Sequence, residues 1–266
     1  MTGDNGIRHS VAIASGKGGV GKSTVAVNLA VALAQSGART GLLDADIYGP
    51  SIPIMTGVQQ VPQSRNGKIV PLEAHGVRLM SLGFLMPDGV PTMWRGPMVA
   101  GAIQQFLRDV DWGALDYLLV DLPPGTGDAQ LTLAQSLPLA GVVVVLTPQD
   151  VATQIASKAL AMFQQLKVPI LGILENMSGF VCPHCGTTAP IFKQGGGRRA
   201  SQELGVPLLG EIPLDPLVCQ ASDRGEPMVT AHPGSPMAEA FRQAAQAIAA
   251  QVNAAAGAGP MIRMDA

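Results

Sequence analysis

The chain has 266 residues, of which 47% are hydrophobic and 14% are charged, and its formal net charge is −2. This length suits one large domain with a sizeable core, and the absence of a Lys/Arg-rich run argues against a nucleic-acid partner. The longest apolar runs are strand-length rather than long enough for a membrane span, and residues 1–10 contain no apolar signal segment, so we expect a soluble, cytoplasmic protein with no membrane partner.

Short apolar runs alternate along the chain with stretches of helical period, a pattern typical of βαβ units. The apolar runs occupy residues 11–14, 40–43, 77–82, 117–120, 141–146, 170–174 and 208–212. The helical stretches occupy residues 22–36, 98–110, 129–135, 152–166 and 237–252. Because the runs are continuously apolar, both faces of the sheet should be covered. The pattern therefore predicts a single α/β domain over residues 1–253, a mostly parallel sheet with helices on both faces.

Three other segments do not fit the alternation. Residues 48–71 are rich in Pro and Gly and are predicted to form a long functional loop. Residues 178–197 contain a closely spaced cysteine pair and are predicted to form a metal-binding insertion. Residues 254–266 are predicted to form a flexible C-terminal tail.

A glycine-rich loop follows the first apolar run and precedes the first helical stretch. It comprises Gly16, Lys17, Gly18, Gly19, Val20, Gly21, Lys22, Ser23 and Thr24. The loop satisfies the pattern G-x-x-x-x-G-K-[ST] in its required strand–loop–helix context. Its glycines let backbone N–H groups converge on phosphate oxygens, and the helix N-terminus adds partial positive charge. We therefore predict an ATP site in which Lys22 bridges the β- and γ-phosphates and Ser23 is an Mg²⁺ ligand.

Acidic residues at the ends of two strands complete the predicted hydrolytic machinery. Asp121 ends an apolar strand and is predicted to hold Mg²⁺ through a water. Asp44 and Asp46 end another strand and point the same way in an extended chain. We assign Asp44 to the surroundings of the metal and Asp46 to orienting the attacking water. Gly125, just after Asp121, is predicted to offer its N–H to the γ-phosphate as part of a switch segment, although a rigid turn is an alternative.

The second lysine of the loop, Lys17, is not required by the general phosphate-binding pattern. The string from Lys17 to Thr24 resembles the deviant Walker A motif of the MinD/ParA/nitrogenase-iron-protein superfamily. That resemblance implies a homodimer in which Lys17 reaches the partner's phosphates and adds positive charge in trans.

Further motifs resemble the Mrp/ApbC family, which consists of iron–sulfur cluster carrier ATPases. They are DADIYGPSIP (44–53), MWRGPM (93–98), DLPPGTGDAQ (121–130), ENMS (175–178) and CPHCG (182–186). The resemblance covers residues 8–250. It implies ATP hydrolysis, a labile cluster passed to apo acceptor proteins, and an adenine site formed by Asn176 with Pro213 and its neighbours. A strand-end turn is the alternative role for Asn176.

Cys182 and Cys185 form a CxxC knuckle that can direct two thiolates at one ion. Zinc and [4Fe–4S] clusters take four ligands, and the chain has no second CxxC, so a two-fold dimer is the economical way to complete the site. The family resemblance favours a bridged [4Fe–4S] cluster, whereas ligand chemistry equally allows a bridged structural Zn²⁺. A dithiol redox centre is a third interpretation, but such a motif should open a helix, and residues 186–190 are a poor helix start. A MinD/ParA-type positioning ATPase with structural zinc is the alternative function. The third cysteine, Cys219, is predicted to be semi-buried and not a ligand.

Overall fold

The computed structural model describes residues 6–46, 49–85, 96–182, 185 and 187–257. The strands are β1 (Ile7–Ala14), β2 (Thr40–Asp44), β3 (Ser64–Arg65), β4 (Lys68–Ile69), β5 (Leu72–Ala74), β6 (Val77–Ser81), β7 (Leu115–Asp121), β8 (Leu139–Leu146), β9 (Ile170–Val181), β10 (Thr188–Ala189) and β11 (Leu208–Leu214). The α-helices are α1 (Lys22–Gln35), α2 (Ile52–Met55), α3 (Gly96–Asp109), α4 (Asp128–Ser136), α5 (Asp150–Gln165), α6 (Gly196–Leu204), α7 (Pro216–Asp223), α8 (Met228–Ala231) and α9 (Pro236–Gly257). A single 3₁₀ turn covers Leu82–Leu85.

The central sheet is mostly parallel, as predicted. Its parallel part runs in the order β11, β9, β8, β1, β7, β2, β6. Among the described residues, the antiparallel pairs in it involve short strands: β5 lies beside β6 at one edge, and β10 pairs with the end of β9. Strand β1 lies between β7 and β8, so the loop that follows it opens at the centre of the carboxyl edge of the sheet. Open α/β sheets bind their ligands at that edge.

Two layers of helices cover the two faces of the sheet. Along β1, Val11 and Ile13 pack into the hydrophobic cluster that contains the buried residues of α1 and α9. Ala12 and Ala14 pack into the opposite cluster, which contains buried residues of α3, α4, α5 and α6. The period of two along the strand sends successive side chains to opposite faces. The double cover confirms the prediction made from the continuously apolar runs.

The structure corrects several predicted boundaries. Residues 49–71, predicted as loop, contain α2 and the β3–β4 hairpin. Strand β9 continues past residue 174 to Val181. The predicted strand was too short because polar residues follow the apolar run, although β11 still pairs with this part of β9. Helix α9 continues to Gly257, so residues 254–257 of the predicted tail are helical. Residues 47, 48, 93–95 and 258–266, which carry parts of the other predictions, lie outside the described residues.

Within the described ranges, the protein has no helix with the length and apolar character that a bilayer span requires. 

Candidate functional site

A cleft of about 480 Å³ opens above the loop between β1 and α1. It is lined by Ser15, residues 17–24, Asp46, Ser51, Met55 and Pro124. Gly19 and Gly21 have φ angles of +78° and +77°, which side-chain-bearing residues rarely adopt. Gly21 is also the N-cap of α1, so the positive end of the helix faces the cleft. The loop therefore has the backbone geometry of an anion site.

Lys22, Ser23 and Asp121 meet at the floor of this cleft. Lys22 Nζ lies 2.6 Å from Asp121 Oδ1, and Ser23 Oγ donates to Asp121 Oδ2 over 2.5 Å. Lys22 is 5% exposed and Asp121 is 0% exposed, so their charges are paired away from bulk water. A buried carboxylate beside a hydroxyl is an oxygen donor set that suits Mg²⁺. The structure thus brings together all three side chains that the sequence placed around the phosphates.

Asp44 and Asp46 occupy different surroundings, although Asp44 ends β2 and Asp46 comes only two residues later. Asp44 is buried, and its carboxylate accepts hydrogen bonds from the Asp46 N–H and the Ser81 hydroxyl, each at 3.0 Å. Burial raises the pKa of Asp44 to about 8, and the nearby carboxylate of Asp121 adds to the rise. Asp46 Oδ2 lies 3.9 Å from Lys22 Nζ and lines the cleft. Asp44 therefore shapes the turn that carries Asp46 to the cleft.

The side chain of Lys17 is held by its own chain. Its Nζ donates to Gln149 Oε1 over 2.7 Å, and Gln149 is the N-cap residue of α5. The sequence analysis missed Gln149. Its position could have indicated the contact, because it comes soon after β8, which lies next to β1, and both strands end at the carboxyl edge of the sheet. For Lys17 to reach a partner's phosphates, the contact with Gln149 has to be exchanged.

The N–H of Gly125 has a partner within the chain. Gly125 has a φ of +99° and donates to the carbonyl of Ser15 over 2.9 Å. In this conformation the N–H is occupied by Ser15, and its contact with a γ-phosphate stays a prediction. A switch role for Gly125 requires that the bond to Ser15 open first.

Asn176 lies against the underside of the phosphate loop. Its Nδ2 donates to the carbonyl of Val20 over 2.8 Å, and the residue is 8% exposed. A methyl group added to Gly21 would overlap Asn176 Nδ2, so the Asn176 side chain packs directly against the backbone of Gly21. The structure therefore gives Asn176 a bracing contact that the sequence analysis did not foresee.

An apolar pocket opens at the end of β11, the strand that pairs with the part of β9 carrying Asn176. Asn176 pairs with Ile212 in the sheet, and Pro213 follows directly. From there a pocket of about 1000 Å³ opens, lined by Val181, residues 213–217, Gln220, Pro236 and Met237. Asp215 caps helix α7 by accepting from the Leu217 N–H over 2.8 Å. The pocket has the size and apolar lining that a purine ring requires.

Cys182 and Cys185 lie at the tip of a hairpin that extends β9. Val181 pairs with Thr188, and the Cys182 N–H donates to the Thr187 carbonyl over 3.0 Å. Cys185 is exposed, and its Sγ lies 3.4 Å from Thr187 Oγ1. Hydrogen bonds from Thr187, side chain first and then backbone, lower the pKa of the Cys185 thiol. Pro183, His184 and Gly186 lie outside the described residues.

This cysteine hairpin supplies two sulfur ligands and no more. Among the residues that the structure describes, no three His, Cys, Asp or Glu side chains are grouped to hold a metal ion. Cys219 lies on α7 with its Sγ 3.7 Å from Asp223 Oδ2, and it is exposed rather than semi-buried as predicted. It faces outward because α7 is a short helix at the surface that buries Ala221 and Ser222 instead.

Comparison with known proteins places these features in context. Residues 6–249 match the ParA family model described as NUBPL iron-transfer P-loop NTPase. The iron–sulfur cluster carrier protein of Deinococcus radiodurans is 54% identical over 250 residues, which cover 93% of this chain and 71% of that protein. The mitochondrial iron–sulfur protein required for NADH dehydrogenase of Arabidopsis thaliana is 51% identical over 91% of this chain and 78% of that protein.

Solved structures show the same architecture. A nucleotide-binding protein of Archaeoglobus fulgidus, described in complex with ADP and with cobalt found by PIXE, superposes with a TM-score of 0.78 at 39% identity. The alignment covers 89% of this chain and 93% of that one. The cell division ATPase MinD of Pyrococcus furiosus has a TM-score of 0.68 at 24% identity and covers 91% of this chain and 98% of its own, a likeness of fold alone.

Proposed function

The chain belongs to the ParA family of NUBPL-type iron-transfer P-loop NTPases, and on that premise we propose that it hydrolyses ATP and carries a labile [4Fe–4S] cluster between two copies of itself. The cluster is cargo, which the dimer passes to apo acceptor proteins. The observation that carries the proposal is the exposed cysteine hairpin with only two sulfur ligands, on a chain whose phosphate loop has a second lysine.

The floor of the cleft supports ATP hydrolysis. Mg²⁺, when bound, would neutralise phosphate charge and orient the γ-phosphoryl group. Ser23 and Asp121 fit that ion because they supply adjacent hydroxyl and carboxylate oxygens. Lys22, now paired with Asp121, would turn its ammonium group to the β- and γ-phosphates. Asp46, 3.9 Å from Lys22, is close enough to the same phosphates to hold the attacking water by hydrogen bonding.

The base of the nucleotide would occupy the apolar pocket beyond Pro213. Asn176 contacts the phosphate loop, and its sheet partner Ile212 directly precedes Pro213 at the edge of that pocket. The adenine contact predicted for Asn176 would use its amide oxygen or its second N–H, because one N–H already donates to Val20. The ADP-bound relative from Archaeoglobus fulgidus supports a nucleotide in this cleft.

The role of Lys17 in trans would begin with the loss of its contact to Gln149. A hydrogen bond from an ammonium to a neutral amide is weaker than one to a phosphate oxygen, because the latter joins two charged groups. Partner phosphates would therefore outcompete Gln149 when two chains sandwich ATP. Hydrolysis would weaken this bridge, and the dimer geometry around the cluster would change with it.

The cysteine hairpin would hold half of the cluster. Two hairpins brought together by a two-fold axis supply four thiolates, the number that a [4Fe–4S] cluster takes. The lowered pKa of Cys185 favours the thiolate that ligates iron. Exposure of the hairpin leaves the cluster accessible to an acceptor protein.

Anaerobic reconstitution with iron and sulfide tests the proposal. We expect broad visible absorbance and about four Fe per two chains in the wild type and in Cys219→Ala, the matched control at an exposed third cysteine. Cys182→Ala should lose the absorbance while it keeps ATPase activity. The reconstituted wild type should also activate an apo [4Fe–4S] enzyme. Tight binding of one Zn²⁺ per dimer with no cluster uptake would instead support the structural-zinc alternative.

A further inference from the structure

A third cavity, of about 470 Å³, lies at the base of the cysteine hairpin. The residues that line it include Glu175, Glu211, Ser178, Gln194, Val181 and Thr188. Val181 and Thr188 are the paired residues that directly precede and follow the segment with the two cysteines. The cavity therefore adjoins the hairpin, and neither the phosphate loop nor the apolar pocket beyond Pro213 accounts for its two carboxylates.

The two carboxylates of this cavity lie side by side. Glu175 on β9 and Glu211 on β11 are direct partners in the parallel sheet, so their side chains share a face. Like charges in that arrangement repel each other. Glu175 is 0% exposed, and its Oε2 accepts the N–H of Gly197 in the first turn of α6. Its Oε1 is buried without a hydrogen-bond partner.

A buried carboxylate oxygen without a partner needs a proton or a cation. Burial raises the pKa of Glu175, and the Glu211 carboxylate adds to the rise. The Gly197 N–H opposes the rise, as do the more distant charges of Arg199 and Arg198. The nearest counter-charge on Glu211 is Arg198, at 3.0 Å, but Arg198 is 64% exposed, and such surface pairs contribute little. A bound cation can therefore displace Arg198 from Glu211 at small cost.

The donors around the cavity are oxygens of the kind that hard and borderline divalent cations take. Ser178 and Gln194 also line the cavity, and their side chains carry a hydroxyl and an amide oxygen that such a cation can use. Two anionic and two neutral oxygens, completed by waters, match the ligand preferences of Mn²⁺ and Fe²⁺. Thiols are not part of this set.

We propose that Glu175 and Glu211 form a divalent-cation site separate from the cysteines, and that in this carrier the site holds Fe²⁺ at the base of the hairpin. The assignment of Fe²⁺ rests on the proposed carrier function, whereas the existence of the site does not. A carboxylate site beside the thiolates would keep a reserve ion near the cluster position during loading or release.

Mn²⁺ binding to the full chain, followed by electron paramagnetic resonance, tests the site. Mn²⁺ prefers oxygen to sulfur, so it discriminates between this cavity and the cysteines. The Mn²⁺ ion at the phosphate loop is recognised because its binding depends on added ADP. We expect one further Mn²⁺ per chain that does not depend on ADP, is retained in a Cys182→Ala/Cys185→Ala variant, and binds about tenfold or more weakly in Glu175→Gln.

Glu175→Gln is nearly isosteric and keeps an oxygen for the Gly197 N–H, and its ADP-dependent Mn²⁺ reports that it has folded. Glu211→Gln should weaken the same ion, whereas Glu203→Gln, an exposed glutamate on α6, is the matched control and should leave it unchanged. Equal Mn²⁺ binding in wild type and Glu175→Gln would overturn the site and leave Glu175 as a protonated helix cap. Failure of cluster reconstitution alone would count against the carrier function without touching the Mn²⁺ result.

Discussion

The contact between Asn176 and the phosphate loop yields a quantitative prediction through two glycines. Gly19 and Gly21 share nearly the same positive φ, so alanine at either position incurs about 1–2 kcal/mol of backbone strain. A methyl group at Gly19 meets nothing within 4 Å, whereas one at Gly21 overlaps Asn176 Nδ2. Gly21→Ala must therefore also displace the Asn176 amide from Val20, which costs about 1–3 kcal/mol.

Urea unfolding of the nucleotide-free chain measures these free energies. We expect Gly19→Ala to lower the free energy of unfolding by about 1–2 kcal/mol and Gly21→Ala by about 2–5 kcal/mol. In an Asn176→Ala background the overlap is absent, so Gly21→Ala should fall to the cost of Gly19→Ala. The difference is the interaction term of a double-mutant cycle. Equal costs for the two glycines in the wild type, or a Gly21→Ala cost that Asn176→Ala does not reduce, would refute the bracing contact.

Three further predictions follow from the site. Lys17→Ala should lower ATP turnover while ATP still binds, as measured by steady-state kinetics beside equilibrium binding, and Gln149→Ala should retain turnover because it frees Lys17 for the partner. In Mg²⁺-free protein the raised pKa of Asp44 means that the native state retains a proton that the unfolded state has lost. The free energy of unfolding should therefore fall as the pH rises from 5 to 8, by as much as about 1.4 kcal/mol per pH unit. Asp44→Asn should flatten that slope in urea titrations. Gln130 is 1% exposed with neither amide atom hydrogen-bonded, so Gln130→Met should raise the free energy of unfolding by about 1–3 kcal/mol.

Each of these three has its own contrary result. Unchanged turnover in Lys17→Ala would count against a role for this lysine in trans. A pH slope that is as steep in Asp44→Asn as in the wild type would assign the slope to other groups. A destabilised Gln130→Met would show that the amide has partners that the described conformation does not reveal.

The sequence predicted the phosphate site well because its chemistry is local or sits at strand ends. Gly16 to Thr24 form one continuous loop, and the apolar runs before Asp44 and Asp121 indicate strands whose carboxyl ends meet. The register confirms this, because Asp44 and Asp121 are direct partners on neighbouring strands. Patterns of hydrophobicity are sufficient to place such residues on one edge of a parallel sheet.

Contacts between distant segments could not be predicted in this way. Lys17 and Gln149 are 132 residues apart, and Asn176 and Val20 are 156 apart, so no local pattern links them. The strand that carries Glu175 and Asn176 was predicted too short because polar residues interrupt its apolar run. Those polar residues are buried since they bond to the phosphate loop and to α6, and only the tertiary structure reveals these partners.

Native mass spectrometry of the anaerobically reconstituted protein tests the central claim most directly. The account predicts a species of two chains with four Fe and four sulfide ions, which Cys182→Ala and Cys185→Ala each abolish and Cys219→Ala retains. A single chain that carries the whole cluster, or a dimer whose cluster survives loss of Cys182 and Cys185, would contradict it.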